Sequence, residues 1–232
     1  MKSLKVLAVI LSFGIVMAAC NNTQKGAVIG TGGGALVGAL VGKLAGNAAV
    51  GAALGAAVGA GTGAIIGKHM DKVKAQAAAV DNAQVQEVTD ANGLQAVKVT
   101  FDSGILFATG GSDLSASAKN SLSKFASVLK NNTDCDVAIY GHTDNQGWKN
   151  STAEQSIQKN QTLSEQRANA VSSYLTSLGV STTQIKTVEG QGQTNPVADN
   201  STAAGQQQNR RVEVYMYASQ AMIQKAESGN LQ

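Results

Sequence analysis

Charge is scarce in this sequence: Asp, Glu, Lys and Arg make up only 14% of its 232 residues, and the formal net charge is +3. So small a net positive charge does not favour nucleic acid as a partner. Cysteine is scarcer still, with Cys20 near the start of the chain and Cys135 far from it. If Cys20 is lipidated, Cys135 has no intramolecular partner. We exclude a disulfide framework and expect Cys135, at the start of a β-run, to be a buried structural thiol.

Groupings of reactive side chains are missing as well. The two histidines, His69 and His142, stand alone in the sequence, and no Cys/His spacing indicates a metal site. No Ser/His/Asp set occurs at the spacing of a hydrolase motif. We therefore predict that the protein is not an enzyme and holds neither a metal nor a cofactor.

The N-terminus has the features of a bacterial export signal. Lys2 and Lys5 precede an apolar run over 6–16 that is too short to span a bilayer. The run ends in Met-Ala-Ala-Cys20, which resembles the lipobox of bacterial lipoproteins. That resemblance implies a signal peptide over 1–19, lipidation of Cys20 and a short linker over 20–25. The Asn that follows Cys20, where Asp is absent, favours the outer membrane by the enterobacterial pattern. The alternative is ordinary signal cleavage beside an incidental cysteine.

Glycine is abundant between 26 and 68, and it recurs there every four residues, with one slip of register around Asn47 and with Ala, Val, Leu and Ile between. The repeat consists of Gly30, Gly34, Gly38, Gly42, Gly46, Gly51, Gly55, Gly59, Gly63 and Gly67. This spacing predicts two helices, over 26–46 and 48–67, that form a hairpin with smooth ridges of small residues. Glycine costs a helix about 1 kcal/mol per residue relative to alanine, so packing in lipid or in an oligomer must offset it.

The segment over 26–68 therefore resembles the glycine-zipper domains found ahead of some peptidoglycan-binding domains, and it offers a route to a homo-oligomer. A flexible linker is the alternative. Because no acidic residue lies within 26–67, a stator subunit of an ion-driven motor is disfavoured. Residues 69–82 are expected to form a linker helix.

Residues 83–219 show the periodicities of an α+β domain. Two strands flank an Asn92-Gly93 turn, and helices are predicted over about 115–130 and from Thr162 to the residue before Gly179. Further strands are expected over 136–140, 184–189 and 212–217. From the second strand of the hairpin onward this is a β-α-β-α-β-β order, in which two helices pack on one face of a small mixed sheet. Residues 220–232 are expected to be a polar tail, frayed or weakly helical.

One arginine of the second helix stands on the face that packs. Arg167 is four residues after Leu163 and four before Val171. A buried guanidinium needs a partner, and Asp144, in the turn that follows the strand over 136–140, is the candidate. We expect the two to form an ion pair in the empty protein. Arg211, which alternates with Arg210, is expected to point to solvent.

Several motifs in order resemble the OmpA-like peptidoglycan-binding domain. They are Gly141-His-Thr-Asp144, Asn160-x-x-Leu163-Ser-x-x-Arg167-Ala, Gly190-x-Gly192, Asn195-Pro-x-Ala-x-Asn200 and Asn209-Arg-Arg-Val-Glu213. The resemblance implies non-covalent binding of meso-diaminopimelate, a zwitterion in the peptidoglycan stem peptide. It assigns the ligand ammonium to Asp144 and the carboxylate to Arg167, with support from Asn160, Arg210 and Leu163.

Two departures from the family pattern affect the expected site. A carboxylate common in the family is replaced at Ala108, so backbone around Ala108 and Thr109 is expected to serve instead. The segment over 145–160 is about eight residues longer than usual. It could shield the cleft, contact glycan through Trp148 or only lengthen a loop.

Together these features predict an outer-membrane lipoprotein with its C-terminal domain in the periplasm, bound to peptidoglycan and so tethering the membrane to the wall. The alternative is a membrane-inserting or oligomerising glycine-zipper protein, a pore or an assembly factor, in which the wall-binding domain is an anchor.

Overall fold

The computed structural model describes residues 60–90 and 93–231. The predicted signal peptide, the lipidation at Cys20 and most of the glycine hairpin lie outside these residues. The described helices include none that is both long enough and apolar enough to cross a membrane.

The described chain forms six helices and five strands. In order they are α1 (Ala60–Ala78), β1 (Ala83–Thr89), β2 (Gln95–Asp102), α2 (Ser103–Leu106), α3 (Ala116–Asn131), β3 (Cys135–Gly141), α4 (Ala153–Ser177), β4 (Ile185–Gly190), α5 (Ala203–Asn209), β5 (Arg211–Ala218) and α6 (Gln220–Glu227).

The strands form one mixed sheet in the order β1-β2-β5-β3-β4. The β3–β4 pair is parallel and the other pairs are antiparallel. As a result the last residues of β2 and β3 and the first residues of β5 lie at the same end of the strands, where Asp102 pairs with Arg211 and Gly141 with Val212. We call this end of the strands the upper edge, and the opposite end, where β2 and β3 start, the lower edge. The α+β class and the mixed sheet predicted from the sequence are confirmed.

A continuous apolar core lies on one face of the sheet. Alternate residues of β2, β3 and β5 point into it, as the period-two pattern predicts, and Phe125 of α3 packs edge-on against Phe101 of β2 with ring centroids 5.6 Å apart. Helix α1 adds the buried stripe Ile66, Met70 and Val73. It therefore packs on the sheet as an integral part of the domain, although it starts before the predicted domain boundary at 83.

The C-terminal residues also differ from the expectation of a polar tail. Ser219 caps helix α6 by accepting a hydrogen bond from the Met222 amide at 3.1 Å. Met222, Ile223 and Ala226 are buried in the same core, beside α1. Three apolar side chains at helical spacing were therefore enough to dock a segment that is otherwise polar.

Helix α4 starts ten residues earlier than predicted. Thr152 and Gln155 form the capping box, with a bond of 3.2 Å to the Gln155 amide and one of 2.9 Å back to the Thr152 amide. The predicted cap, Thr162, lies inside the helix and its hydroxyl donates to the carbonyl of Gln158 at 3.1 Å. Both threonines stand three residues before a Glu or Gln, so the spacing alone did not separate them. Much of the extra length over 145–160 is thus helical.

Because α1 and α6 complete the core, the fragment 83–219 is expected to be much less stable than 60–231. Single Ile or Met truncations in a core cost about 2–5 kcal/mol, and this fragment loses several such side chains at once. Urea unfolding of both fragments, followed by circular dichroism, measures the difference. Equal unfolding free energies would contradict the assignment of α1 to the domain.

Candidate functional site

The site is built where helix α4 crosses the upper edge of the sheet. A Cβ on Gly141, the last residue of β3, would lie only 2.0 Å from the carbonyl oxygen of Ser164 in α4. Only glycine permits so close an approach. It brings one face of α4, which carries Asn160, Leu163 and Arg167, against the turn that follows β3.

Asp144, in that turn, has Arg210 as its partner. The Arg210 guanidinium donates to one oxygen of the Asp144 carboxylate, and the Gln146 amide donates to the other at 3.1 Å. The Asp144 side chain is 9% exposed and that of Arg210 is 37% exposed. The predicted Asp144–Arg167 ion pair is therefore wrong. Arg210, which follows α5 and is partly exposed, forms the ion pair with the Asp144 carboxylate in place of Arg167.

Arg167 is buried, as predicted, but without a carboxylate of its own. Its residue is 3% exposed, and its Nε donates to the carbonyl of Gly111 at 3.0 Å. The guanidinium stacks over the ring of Phe107, 5.2 Å from the centroid, while its Nη1 has no hydrogen-bond partner among the described residues. Burial and then the charge of Arg210 lower the pKa of Arg167, and Asp144 opposes them. It stays charged at neutral pH, because arginine starts from above 12.

Asn160 ties the turn, the helix and the loop together. Its side-chain nitrogen lies 3.2 Å from the carbonyl of Gln146 and 3.2 Å from the side-chain oxygen of Gln193. Its oxygen accepts a hydrogen bond of 2.7 Å from the indole nitrogen of Trp148. Trp148 is further held by its backbone amide, which donates to Ser156 at 3.0 Å. The loop is thus fixed over the site by specific bonds.

A cavity of about 430 Å³ lies between these elements. All seven residues that the sequence predicts for the site line it, namely Ala108, Thr109, Asp144, Asn160, Leu163, Arg167 and Arg210. Their role in binding stays a prediction. Trp148 also lines the cavity. This position agrees with two of the options for the segment over 145–160, shielding of the cleft and contact with glycan through Trp148. Phe107, which supports Arg167, was missed. Its place in an apolar run gave no sign of a contact with a cation.

A buried ionic cluster lies behind Arg210. Arg211 is 4% exposed and its Nε donates to Glu213 at 2.7 Å, so the expectation that it points to solvent is wrong. The hydroxyl of Tyr215 donates to the same carboxylate at 2.6 Å, and Nε2 of His142 lies 3.6 Å from it. Arg211 also donates to the carbonyl of Asn195 at 3.1 Å. These bonds fix the start of β5, and with it the position of the adjacent Arg210.

The cluster perturbs two titratable groups. Burial alone would raise the pKa of Glu213, but His142, Arg211 and Tyr215 outweigh it and hold the pKa below its usual range. Burial is also the largest influence on His142, whose pKa is lowered although Glu213 acts in the opposite direction. His142 is therefore neutral in the folded protein at pH 7.

A five-stranded mixed sheet, helices on one face and a polar cavity at the strand ends define a recognisable class of fold. The structure of the cell wall anchor of the T6SS from Pseudomonas aeruginosa is similar with a TM-score of 0.51 and 25% identity, covering 65% of this chain and 97% of that one. A putative MotB like protein from Desulfovibrio vulgaris shares the fold at a TM-score of 0.53 and 22% identity, over 68% of this chain and 91% of the other.

Two family models match the sequence. Residues 106–210 match the OmpA family, and residues 1–71 match the YMGG-like Gly-zipper. The sequence over 106–210 is therefore similar to the OmpA family and is preceded by a segment similar to the YMGG-like Gly-zipper, as the motifs indicate. This family is non-enzymatic, in agreement with the prediction that the protein is not an enzyme.

Curated relatives match about half of the chain. The probable lipoprotein YiaD of Escherichia coli (strain K12) is 40% identical over 50% of this chain and 46% of its own length. The outer-membrane lipoprotein YfiB of Pseudomonas aeruginosa is 36% identical over 51% of this chain and 65% of its own. The peptidoglycan-binding protein ArfA of Mycobacterium bovis is 38% identical over 51% and 34% respectively. The chain thus spans less than two thirds of the length of each.

Burial of neutral His142 predicts that the domain loses stability between pH 7 and 5. Below about pH 6.5 the imidazole of His142 takes up a proton in the unfolded chain, whereas burial disfavours that proton in the folded state. The free energy of unfolding therefore falls by up to about 1.4 kcal/mol per pH unit. The free energy of urea unfolding at pH 7, 6 and 5 should therefore fall more steeply for the unmodified protein than for His142→Gln. Carboxyl groups that begin to titrate near pH 5, with Asp136, whose pKa burial raises, among them, are common to both proteins and cancel in the comparison. His69→Gln is measured in parallel as a control. Equal slopes for the unmodified protein and His142→Gln would contradict the prediction.

Proposed function

We propose that the protein is an outer-membrane lipoprotein whose C-terminal domain lies in the periplasm. There it binds peptidoglycan non-covalently through the diaminopimelate of the stem peptide, and so tethers the membrane to the cell wall. The observation that carries the proposal is a cavity that offers a carboxylate, Asp144, together with a buried guanidinium, Arg167, that no carboxylate of the described chain engages.

The free end of diaminopimelate carries an ammonium and a carboxylate on one carbon atom. Asp144 suits the ammonium as a charge-assisted acceptor, and the planar guanidinium of Arg167 suits the carboxylate. In the empty cavity Asp144 is held by Arg210 alone among the described cations, and that side chain is more than a third exposed. It can therefore swing aside, or stay and contact a second ligand carboxylate. Asn160 keeps the acidic turn and the helix at a fixed separation.

The walls of the cavity suit the rest of a stem peptide. Leu163 and Trp148 provide apolar surface for the methylene chain that joins the two ends of diaminopimelate. The exposed residues Ala108 and Thr109 lie opposite them, where backbone groups are available to a peptide. No catalytic group is required for this function, because the ligand is held and released without a change in its bonds.

Membrane attachment is supported by a separate set of observations. The lipobox-like Cys20 and the YMGG-like Gly-zipper match lie before the domain, and the relatives YiaD and YfiB carry the name lipoprotein. Helix α1 begins at the lower edge of the sheet, where Gly63 faces Leu94 and Gly67 faces Gln95 at the start of β2. The cavity lies at the upper edge, about 20 Å away for strands of seven residues. The two proposed attachments would then lie at opposite ends of the strands, so that each is accessible while the other is occupied.

Asp144→Ala and Arg167→Ala are each expected to weaken binding to purified sacculi at least about tenfold, since truncating one partner of a desolvated charge pair costs about 2–5 kcal/mol. Co-sedimentation across a range of protein concentrations measures the loss. The control is the pair Asp81→Ala and Lys124→Ala, which removes an exposed ion pair of 2.7 Å at the β1 side of the domain. Full binding by both cavity variants would refute the site.

Diaminopimelate should also be distinguished from lysine at the same position of the stem peptide. Lysine lacks the second carboxylate, so Arg167 would stay unpaired and binding should be weaker at least about tenfold. Calorimetric titration with the two stem peptides gives the ratio. In Arg167→Ala the ratio should approach one, whereas the same preference in that variant would show that another group reads the carboxylate.

A further inference from the structure

A second group of polar side chains meets at the lower edge of the sheet, far from the cavity. His69 comes from α1, Cys135 is the first residue of β3, and Asp134 directly precedes that strand. Nε2 of His69 lies 3.4 Å from a carboxylate oxygen of Asp134. One donor atom from each of the three residues lies within 4.8 Å of the others. Because more than sixty residues separate His69 from the other two, no sequence spacing signalled this group.

The imidazole of His69 is left unsatisfied in this position. Its side chain is 15% exposed, and both ring nitrogens are buried without a hydrogen-bond partner among the described residues. Buried polar atoms in folded proteins nearly always have a partner, so an orphaned imidazole calls for an explanation. A hydrogen bond to Asp134 would satisfy only one nitrogen, and the contact lacks the geometry of one.

The surroundings of the thiol favour a cation. Cys135 is fully buried, and its thiol donates to the sulfur of Met70 at 3.9 Å, a weak contact. Asp134 and Asp136 flank it in the chain, and their carboxylates would attract a metal ion, whose charge would stabilise a coordinated thiolate.

We propose that His69, Asp134 and Cys135 bind a zinc ion, with water as a fourth ligand. Imidazole, carboxylate and thiolate are all ligands of zinc, at about 2.0–2.3 Å. Ligand atoms of a tetrahedral site at these bond lengths lie about 3.3–3.8 Å apart, so the three donors need to close by about 1 Å. On binding, the thiol proton passes to solvent. The ion, the thiolate and the carboxylate then sum to zero charge, which suits a half-buried site.

Zinc is favoured over copper by the donor set. A carboxylate is a hard ligand that suits zinc better than Cu(I), whereas Cu(I) would select the thioether of Met70 together with Cys135. The consequence of a zinc ion here is mechanical, because it would join α1 to β3. The helix through which the chain enters the domain would be fastened to the central part of the sheet.

The test uses the full chain carrying Cys20→Ser, so that Cys135 is its only thiol. After treatment with a chelator and a reductant, the protein is titrated with Zn²⁺ by calorimetry and with Co²⁺ by absorption spectroscopy. One equivalent is expected, with a thiolate-to-cobalt charge-transfer band. His69→Gln, Asp134→Asn and Cys135→Ser should each weaken zinc binding at least about tenfold, since even changes outside the ligand shell cost 10–100-fold.

His142→Gln is the matched control, because it removes the other histidine and should leave the affinity unchanged. Circular dichroism of each metal-free variant shows whether it is folded, and only folded variants are compared. Absence of zinc binding by the unmodified site would overturn the proposal. So would binding that survives Cys135→Ser, or binding of Cu(I) alone that is lost in Met70→Leu and kept in Asp134→Asn.

Discussion

The upper half of this domain depends on a buried guanidinium that forms no ion pair with a carboxylate of residues 60–90 or 93–231. Arg167 is held by a backbone carbonyl and an aromatic ring, which together replace only part of the water it has lost. The charge is tolerated because its surroundings are fixed by the close contact of α4 with Gly141. Under the proposed function, the buried guanidinium would receive the carboxylate of the ligand, and the neighbouring Asp144 would receive its ammonium.

Arg210 and Arg211 are consecutive in the sequence but have different partners and different exposure. Arg211 is locked into the buried cluster with Glu213, while Arg210 reaches outward to Asp144 from a side chain that is partly in water. Strand geometry accounts for the difference, because adjacent residues of an extended chain point in opposite directions. The buried Arg211 fixes the start of β5, and the partly exposed Arg210 forms the ion pair with Asp144.

Motif and periodicity predicted the sheet, both main helices and the residues around the cavity, because each depends on local spacing. Pairing did not follow from spacing. Asp144 forms its ion pair with Arg210 instead of Arg167, since the path of α5 places Arg210 beside the turn. The start of α4 was misplaced because Thr152 and Thr162 carry the same capping pattern. The packing of α1 and α6 on the sheet was not predicted, since three or four apolar residues in a polar stretch do not show by themselves that a helix is buried.

The opposite placement of the cavity and of the start of α1 has a consequence for force. If the wall holds the upper edge and the membrane holds the chain before Ala60, tension runs along the strands. The ladder hydrogen bonds lie across that direction, so many of them must break at once, and α1 must slide over the sheet with its whole apolar stripe engaged. A tether pulled at adjacent corners would open one bond at a time. Under the proposed function the domain would be loaded in shear, the direction in which many ladder hydrogen bonds resist together.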